Sequence, residues 1–88
     1  MSYAKDNAIA VYPNPTQGSL VMAYDLKDYK NITFEIFDVQ GKKMAIYPIN
    51  AEEHQFNIEN LNLENGVYFY TITADGKNLM TKKIVIVQ

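Results

Sequence analysis

Cysteine is absent from the sequence, so no disulfide, thiolate metal site or cysteine nucleophile can be built. That absence also suits an exported domain that must avoid mispairing. Arginine is absent as well: eight lysines stand against ten carboxylates, for a net charge of −2. A nucleic-acid surface needs a basic face rich in arginine, and none is available, so no nucleic-acid partner is expected. His54 is the single histidine, and a transition-metal site would have to complete it with scattered carboxylates; it reads as a half-exposed structural residue on a strand. No apolar run approaches the roughly 20 residues that cross a bilayer, and the chain is not expected to span one. The start, Met1-Ser2-Tyr3-Ala4-Lys5-Asp6, has no signal-peptide core, so any export signal is expected on a larger parent chain. Glycine-rich phosphate loops and the Asp-x-Asp-x-Asp-Gly spacing of a calcium loop are missing; Asp25, Asp28, Glu52 and Glu53 read as solvated turn charges. Ser2, Ser19 and the threonines have no partnered base, and a carboxylate pair for glycoside hydrolysis would need a cleft that so short a chain can hardly form. An enzyme is not expected, nor is any cofactor or metal.

What is present is a globular composition, with 48% apolar and 12% aromatic residues. Eighty-eight residues make one domain, which buries about 60–65% of its unfolded surface and so builds one core. Alternation with a period of two recurs along the chain, and a period of 3.6 does not. Residues 1–8 are small and polar and read as a linker or chain start, and residues 9–88 as the domain. Strands are expected over Ala8–Tyr12, Leu20–Tyr24, Asn31–Asp38, Lys42–Tyr47, Glu53–Ile58, Val67–Ala74 and Leu79–Val87. Leu26 and Tyr29 tether the connection between the second and third. Gly41 closes a turn after Asp38, Pro48 stops the fourth strand, and Asp75-Gly76 marks a tight hairpin. Leu61 and Leu63 plug one end of the core. Seven short strands with turn signals every 8–12 residues imply an all-β, Ig-like antiparallel β-sandwich; a small open barrel is the alternative.

Three features stand out. The segment Tyr12-Pro13-Asn14-Pro15-Thr16-Gln17-Gly18 is a stiff corner, because two prolines fix φ and remove donors while Gly18 is free to take positive φ. After Lys82-Lys83, the run Ile84-Val85-Ile86-Val87 is apolar on both faces, so this terminal strand is either central in its sheet or an edge offered to a partner. That leaves the oligomeric state open, since such a strand can also pair between chains. Seven tyrosines invite a carbohydrate-binding or adhesive reading. Tyr12, Tyr68 and Tyr70 lie within strands, however, where a ring in the core with its hydroxyl at the rim is the commoner outcome.

In order, the chain shows Tyr12-Pro13-Asn14-Pro15 with Gly18, then Ile36-Phe37-Asp38-x-x-Gly41-Lys42, Leu63-x-x-Gly66-Val67-Tyr68-Phe69, and a terminal Lys83-Ile84-Val85-Ile86-Val87. This set resembles the C-terminal sorting domain, type A, of the type IX (Por) secretion system of Bacteroidota-type bacteria, over about residues 9–88. The resemblance implies a non-catalytic address label at the end of a larger exported cargo protein. Its partners would be the outer-membrane secretion translocon and a cell-surface sortase. The sortase would cut in or before Met1–Ile9 and join the cargo to anionic lipopolysaccharide. Recognition positions carried over by the resemblance are Pro13, Asn14, Pro15, Gly18, Gly41, Gly66, Tyr68 and Lys83, with the export-associated tail Ile84, Val85, Ile86 and Val87. Removing Lys83–Gln88 is then expected to abolish export while leaving the sandwich core folded. The route runs through the periplasm to the cell surface or the medium. Tyr70 stands where a smaller aliphatic is common in such domains.

Overall fold

The structure is a computed structural model that describes residues 9–88; the linker expected over residues 1–8 lies outside the described residues. Among the described residues there are seven strands and no helix: β1 (Ile9–Tyr12), β2 (Leu20–Tyr24), β3 (Ile32–Phe37), β4 (Lys43–Ile49), β5 (Gln55–Ile58), β6 (Gly66–Ala74) and β7 (Lys77–Ile86). They form two antiparallel sheets, one in the order β1-β2-β5 and the other β4-β3-β6-β7. The alternation seen in the sequence sets which side chains face inward. Leu20, Met22 and Tyr24 on β2, Ile32, Phe34 and Ile36 on β3, and Tyr68, Tyr70, Ile72 and Ala74 on β6 are all buried, as a period of two requires when one face of each sheet packs on the other.

In a constant-type immunoglobulin domain the fourth strand joins the sheet of the first two. Here β4 stays beside β3, to which a short turn connects it. Asp38 shapes that turn: its Oδ1 accepts from the N–H groups of Gln40 at 2.9 Å and Lys42 at 2.8 Å, while Gly41 takes φ 87°. At the opposite end, Asp75 (φ 50°) and Gly76 (φ 82°) form the two-residue β6–β7 loop, the pairing of positive φ values that matches strand twist.

The two sheets meet through Phe34, whose ring lies 5.2 Å from Tyr70 and 6.3 Å from Tyr47. Tyr47 in turn lies 5.8 Å from Phe56 on the other sheet. Such tilted and offset ring pairs add to the burial itself. The buried hydroxyls are satisfied at the rim: Tyr24 Oη donates to Asn50 O at 2.7 Å and Tyr68 Oη to Glu64 O at 2.8 Å. Leu26 and Leu61 are buried and Leu63 half-buried, so the connection and the end plug pack as expected.

Three expectations are corrected. Pro48 does not stop β4; it lies within the strand opposite Thr33. β4 is the sheet's edge, where a missing N–H on the outer side breaks no ladder bond. Tyr12 does not put its ring in the core but is 47% exposed. Ile9 and Val11 take the inward positions of β1, so alternation turns Tyr12 outward. The terminal residues are not separable from the core, because Ile84 and Ile86 are completely buried and pair with Tyr68 and Gly66. Removing Lys83–Gln88 would therefore open the sandwich.

Candidate functional site: the clasp between the corner and the last strand

β7 ends one sheet, and an edge strand shows a row of unpaired backbone groups. At its C-terminal half that row is covered by the Pro13–Pro15 corner. The Tyr12–Pro13 and Asn14–Pro15 peptide bonds are both cis. Between the prolines, the Asn14 carboxamide acts as a peptide group would. Its Oδ1 accepts from Val85 N–H at 3.1 Å, and its Nδ2 donates to Lys83 O at 2.9 Å. Thr16 continues with its own backbone, donating its N–H to Val85 O at 2.9 Å and accepting from Val87 N–H at 2.8 Å. The result is a short parallel bridge between Thr16 and Ile86. Four successive outward groups of β7, from Lys83 C=O to Val87 N–H, are thus paired by two residues.

Thr16 is the pivot. It is the buried polar side chain of the molecule among the described residues, at 1% exposure. Its Oγ1 donates to Ser19 O and accepts from Gly18 N–H at 3.1 Å, which folds the corner back on itself. Gly18 takes φ 115°, a region that side-chain-bearing residues rarely enter. A Cβ there would meet Gln88 side-chain atoms no nearer than 3.6 Å, so backbone conformation, not space, calls for glycine. Gly18 O accepts from Leu61 N–H at 2.9 Å. Gln88 is pinned from the other side: its N–H donates to Asn65 Oδ1 at 2.9 Å and its Nε2 to Leu63 O at 3.0 Å. An open groove of about 420 Å³, lined mostly by polar residues, runs between Gly18, Leu61 and Gln88.

The expected recognition residues divide by position. Pro13, Asn14 and Pro15 are exposed, Gly18 is buried, and all sit on the corner. Lys83 and Val87 are exposed and Val85 is half-buried, whereas Ile84 and Ile86 are core. Gly66 and Tyr68 begin β6, directly across from Ile86 and Ile84. Gly41 belongs to the β3–β4 turn, and its N–H donates within that turn to Asp38 O at 3.0 Å. Strand register puts that turn at the same end of the sheet, since Phe37 pairs with Phe69 and Phe69 with Lys83. Sequence reading missed Thr16, Asn65 and Gln88. A threonine two residues before a turn glycine was the available signal for the first; for the others only tertiary contact reveals the role.

Chemistry-bearing groups are scattered. Among the described residues no three His, Cys, Asp or Glu side chains are grouped to hold a metal ion. His54 is exposed, and its backbone carbonyl accepts from Tyr24 N–H at 2.9 Å. Burial raises the pKa of Tyr70, and burial followed by the Glu53 charge raises that of Tyr24. Asp75, at the far end of β6, is lowered chiefly by the hydrogen bond from Asn31 N–H. Tyr12, Tyr68 and Tyr70 do not make a sugar-stacking row, because Tyr68 and Tyr70 face inward at 8% and 4% exposure and only Tyr12 of the three is exposed.

The sequence profile of the family described as a secretion system C-terminal sorting domain matches residues 10–87. The chain belongs to that family, the sorting domains of the type IX (Por) system. No curated protein matches it significantly. Among solved structures, dimeric latent PorU from Porphyromonas gingivalis superposes with a TM-score of 0.73 at 18% identity. The superposition covers 91% of this sorting domain and 9% of that chain. At such identity the likeness establishes a shared sandwich fold. The sorting domain spans a small fraction of that chain's length.

Proposed function

We propose that this sorting domain is a type A, non-catalytic export address read as a folded unit. On this reading it follows a larger cargo, crosses the periplasm with it, and directs it through the outer-membrane translocon to the cell surface. There a sortase cuts ahead of the sandwich, in or before Met1–Ile9, and attaches the cargo to anionic lipopolysaccharide. Pro13, Asn14, Pro15, Gly18, Gly41, Gly66, Tyr68, Lys83 and the tail Ile84–Val87 carry recognition, directly or by holding the recognised shape.

The observation that supports this most is the clasp. Asn14 through its carboxamide and Thr16 through its backbone bind the backbone of β7, 69 to 71 residues further on for Asn14, and so gather the corner and the tail into one rigid end. A label of that kind keeps its shape whatever precedes it. Family membership supplies the export role.

The test is a periplasmic reporter carrying this domain at its C-terminus, expressed in a host with a working type IX system. Surface labelling should find the reporter outside the cell. An Asn14→Ala fusion, still folded but with its tail loosened, should export poorly. Retention of the unsubstituted fusion in the periplasm would refute the reading.

A further inference from the structure

The alternation of β7 decides which part of the tail a partner can touch. Ile84 and Ile86 are fully buried, so a reader of the folded domain meets only Lys83, Val85 and Val87. Their cross-strand neighbours belong to the same surface. Phe69 lies opposite Lys83 and Val67 opposite Val85 on β6, and Phe37 lies opposite Phe69 on β3. Val67 is 41% and Phe69 38% exposed, and by register they adjoin Val85 and Phe37 as one contiguous apolar patch rather than scattered single residues. None of the three belongs to the tail.

Charge says what covers them. Lys43, opposite Phe37 on β4, is paired with Glu35 at 3.0 Å. Lys83 has no ion-pair partner among the described residues. An apolar patch with one uncompensated ammonium at its border fits a protein surface that offers an Asp or Glu carboxylate beside apolar side chains. Anionic lipid is usually drawn by clusters of four to eight basic residues, and this chain is net negative. A second copy would bring another unpaired Lys83 and no spare carboxylate on the same face.

We infer that the outer face formed by Val67, Phe69, Phe37, Val85 and Lys83 is a docking surface for an acidic, apolar protein partner. The inference rests on the export reading and names the chemistry of its reader. Apolar side chains of the partner seat over Phe69 and between Val67 and Val85, and its carboxylate reaches Lys83.

The reporter fusion tests it with Phe69→Ser, Val67→Ser, Lys83→Glu and Lys83→Arg, each checked for folding by thermal melting. Val39→Ser, at a 67% exposed apolar residue of the β3–β4 turn, is the control. Surface export should fall at least about tenfold for the two serine variants and Lys83→Glu, the size of change expected when an interface anchor is lost. Lys83→Arg and Val39→Ser should stay near the unsubstituted level. A photo-crosslinking p-benzoylphenylalanine in place of Val67 should capture one envelope protein through a peptide that contains Asp or Glu, and Lys83→Glu should abolish that adduct. Folded Phe69→Ser and Lys83→Glu fusions exported normally would overturn the inference while leaving the sorting role intact. So would an adduct with lipid or with a second copy, or no adduct from an exported fusion. If the unsubstituted fusion is not exported, the sorting role fails first and the docking surface with it.

Discussion

Asn14 stands to Val85 as one strand residue stands to its neighbour. The Oδ1 of Asn14 takes the Val85 N–H at 3.1 Å, and its Nδ2 reaches back to the carbonyl two residues earlier. A carboxamide is the side chain that both accepts and donates in the spacing of a peptide group. Aspartate can only accept, and serine is too short to span both.

Asn14→Ala should therefore cost about 1–3 kcal/mol, the sum of two ordinary hydrogen bonds. Asn14→Asp should cost a similar amount, since its carboxylate faces the Lys83 carbonyl without a proton to share. Urea unfolding measures the loss, and amide exchange should show it concentrated at Val85. Equal stability of the Asn, Asp and Ala forms would deny the clasp any structural weight.

Thr16→Val keeps the shape and removes the hydroxyl that joins Ser19 O to Gly18 N–H. With the site 1% exposed, water cannot replace it, and about 1–3 kcal/mol should be lost. Thr16→Ser keeps the hydroxyl and should lose less. The contrast between the two midpoints in urea is the measurement.

Ile84→Ala and Ile86→Ala each remove a wholly buried side chain and should cost about 2–5 kcal/mol. A domain of this size has a total stability of about 5–15 kcal/mol. Deleting residues 83–88 takes both isoleucines and half the clasp, so circular dichroism of that truncation should show a melted sandwich.

Asp75 gives the pH dependence its sign. Its carboxylate accepts from the N–H groups of Asn31 at 2.8 Å and Lys30 at 3.1 Å, and its pKa lies below the ordinary 3.8. A depressed carboxylate stabilises the fold above its unfolded pKa and ceases to do so as pH falls through the folded one. Melting temperatures should therefore decline from about pH 4 downward. Asp75→Asn tolerates the same positive φ and should flatten that part of the curve; an unchanged slope would remove Asp75 as its source.

Much of the sandwich was legible because alternation is a local signal. Leu20, Met22 and Tyr24, or Ile32, Phe34 and Ile36, declare their inward face without reference to any other strand. Pro48 was misread because the rule that proline ends a strand holds within a sheet and lapses at its edge, and neighbours alone cannot say which strand is outermost. Tyr12 was misplaced for a related reason: its exposure depends on Val11 taking the inward position. The corner was recognisable as rigid, but what it grips was not, since Lys83 and Val85 lie about seventy residues further on. Local chemistry marks a stiff loop; only packing shows that its asparagine does the work of a strand.

The clasp also ties the shape of the corner to the presence of β7. The corner precedes β7 in synthesis by about seventy residues, so the Asn14 carboxamide and the Thr16 backbone meet their partners only after Val87 has been added. A chain that stops short of Lys83 leaves the corner with nothing to hold and takes the buried Ile84 and Ile86 out of the core. A product cut off before β7 lacks the partners of Asn14 and Thr16 and cannot close the corner.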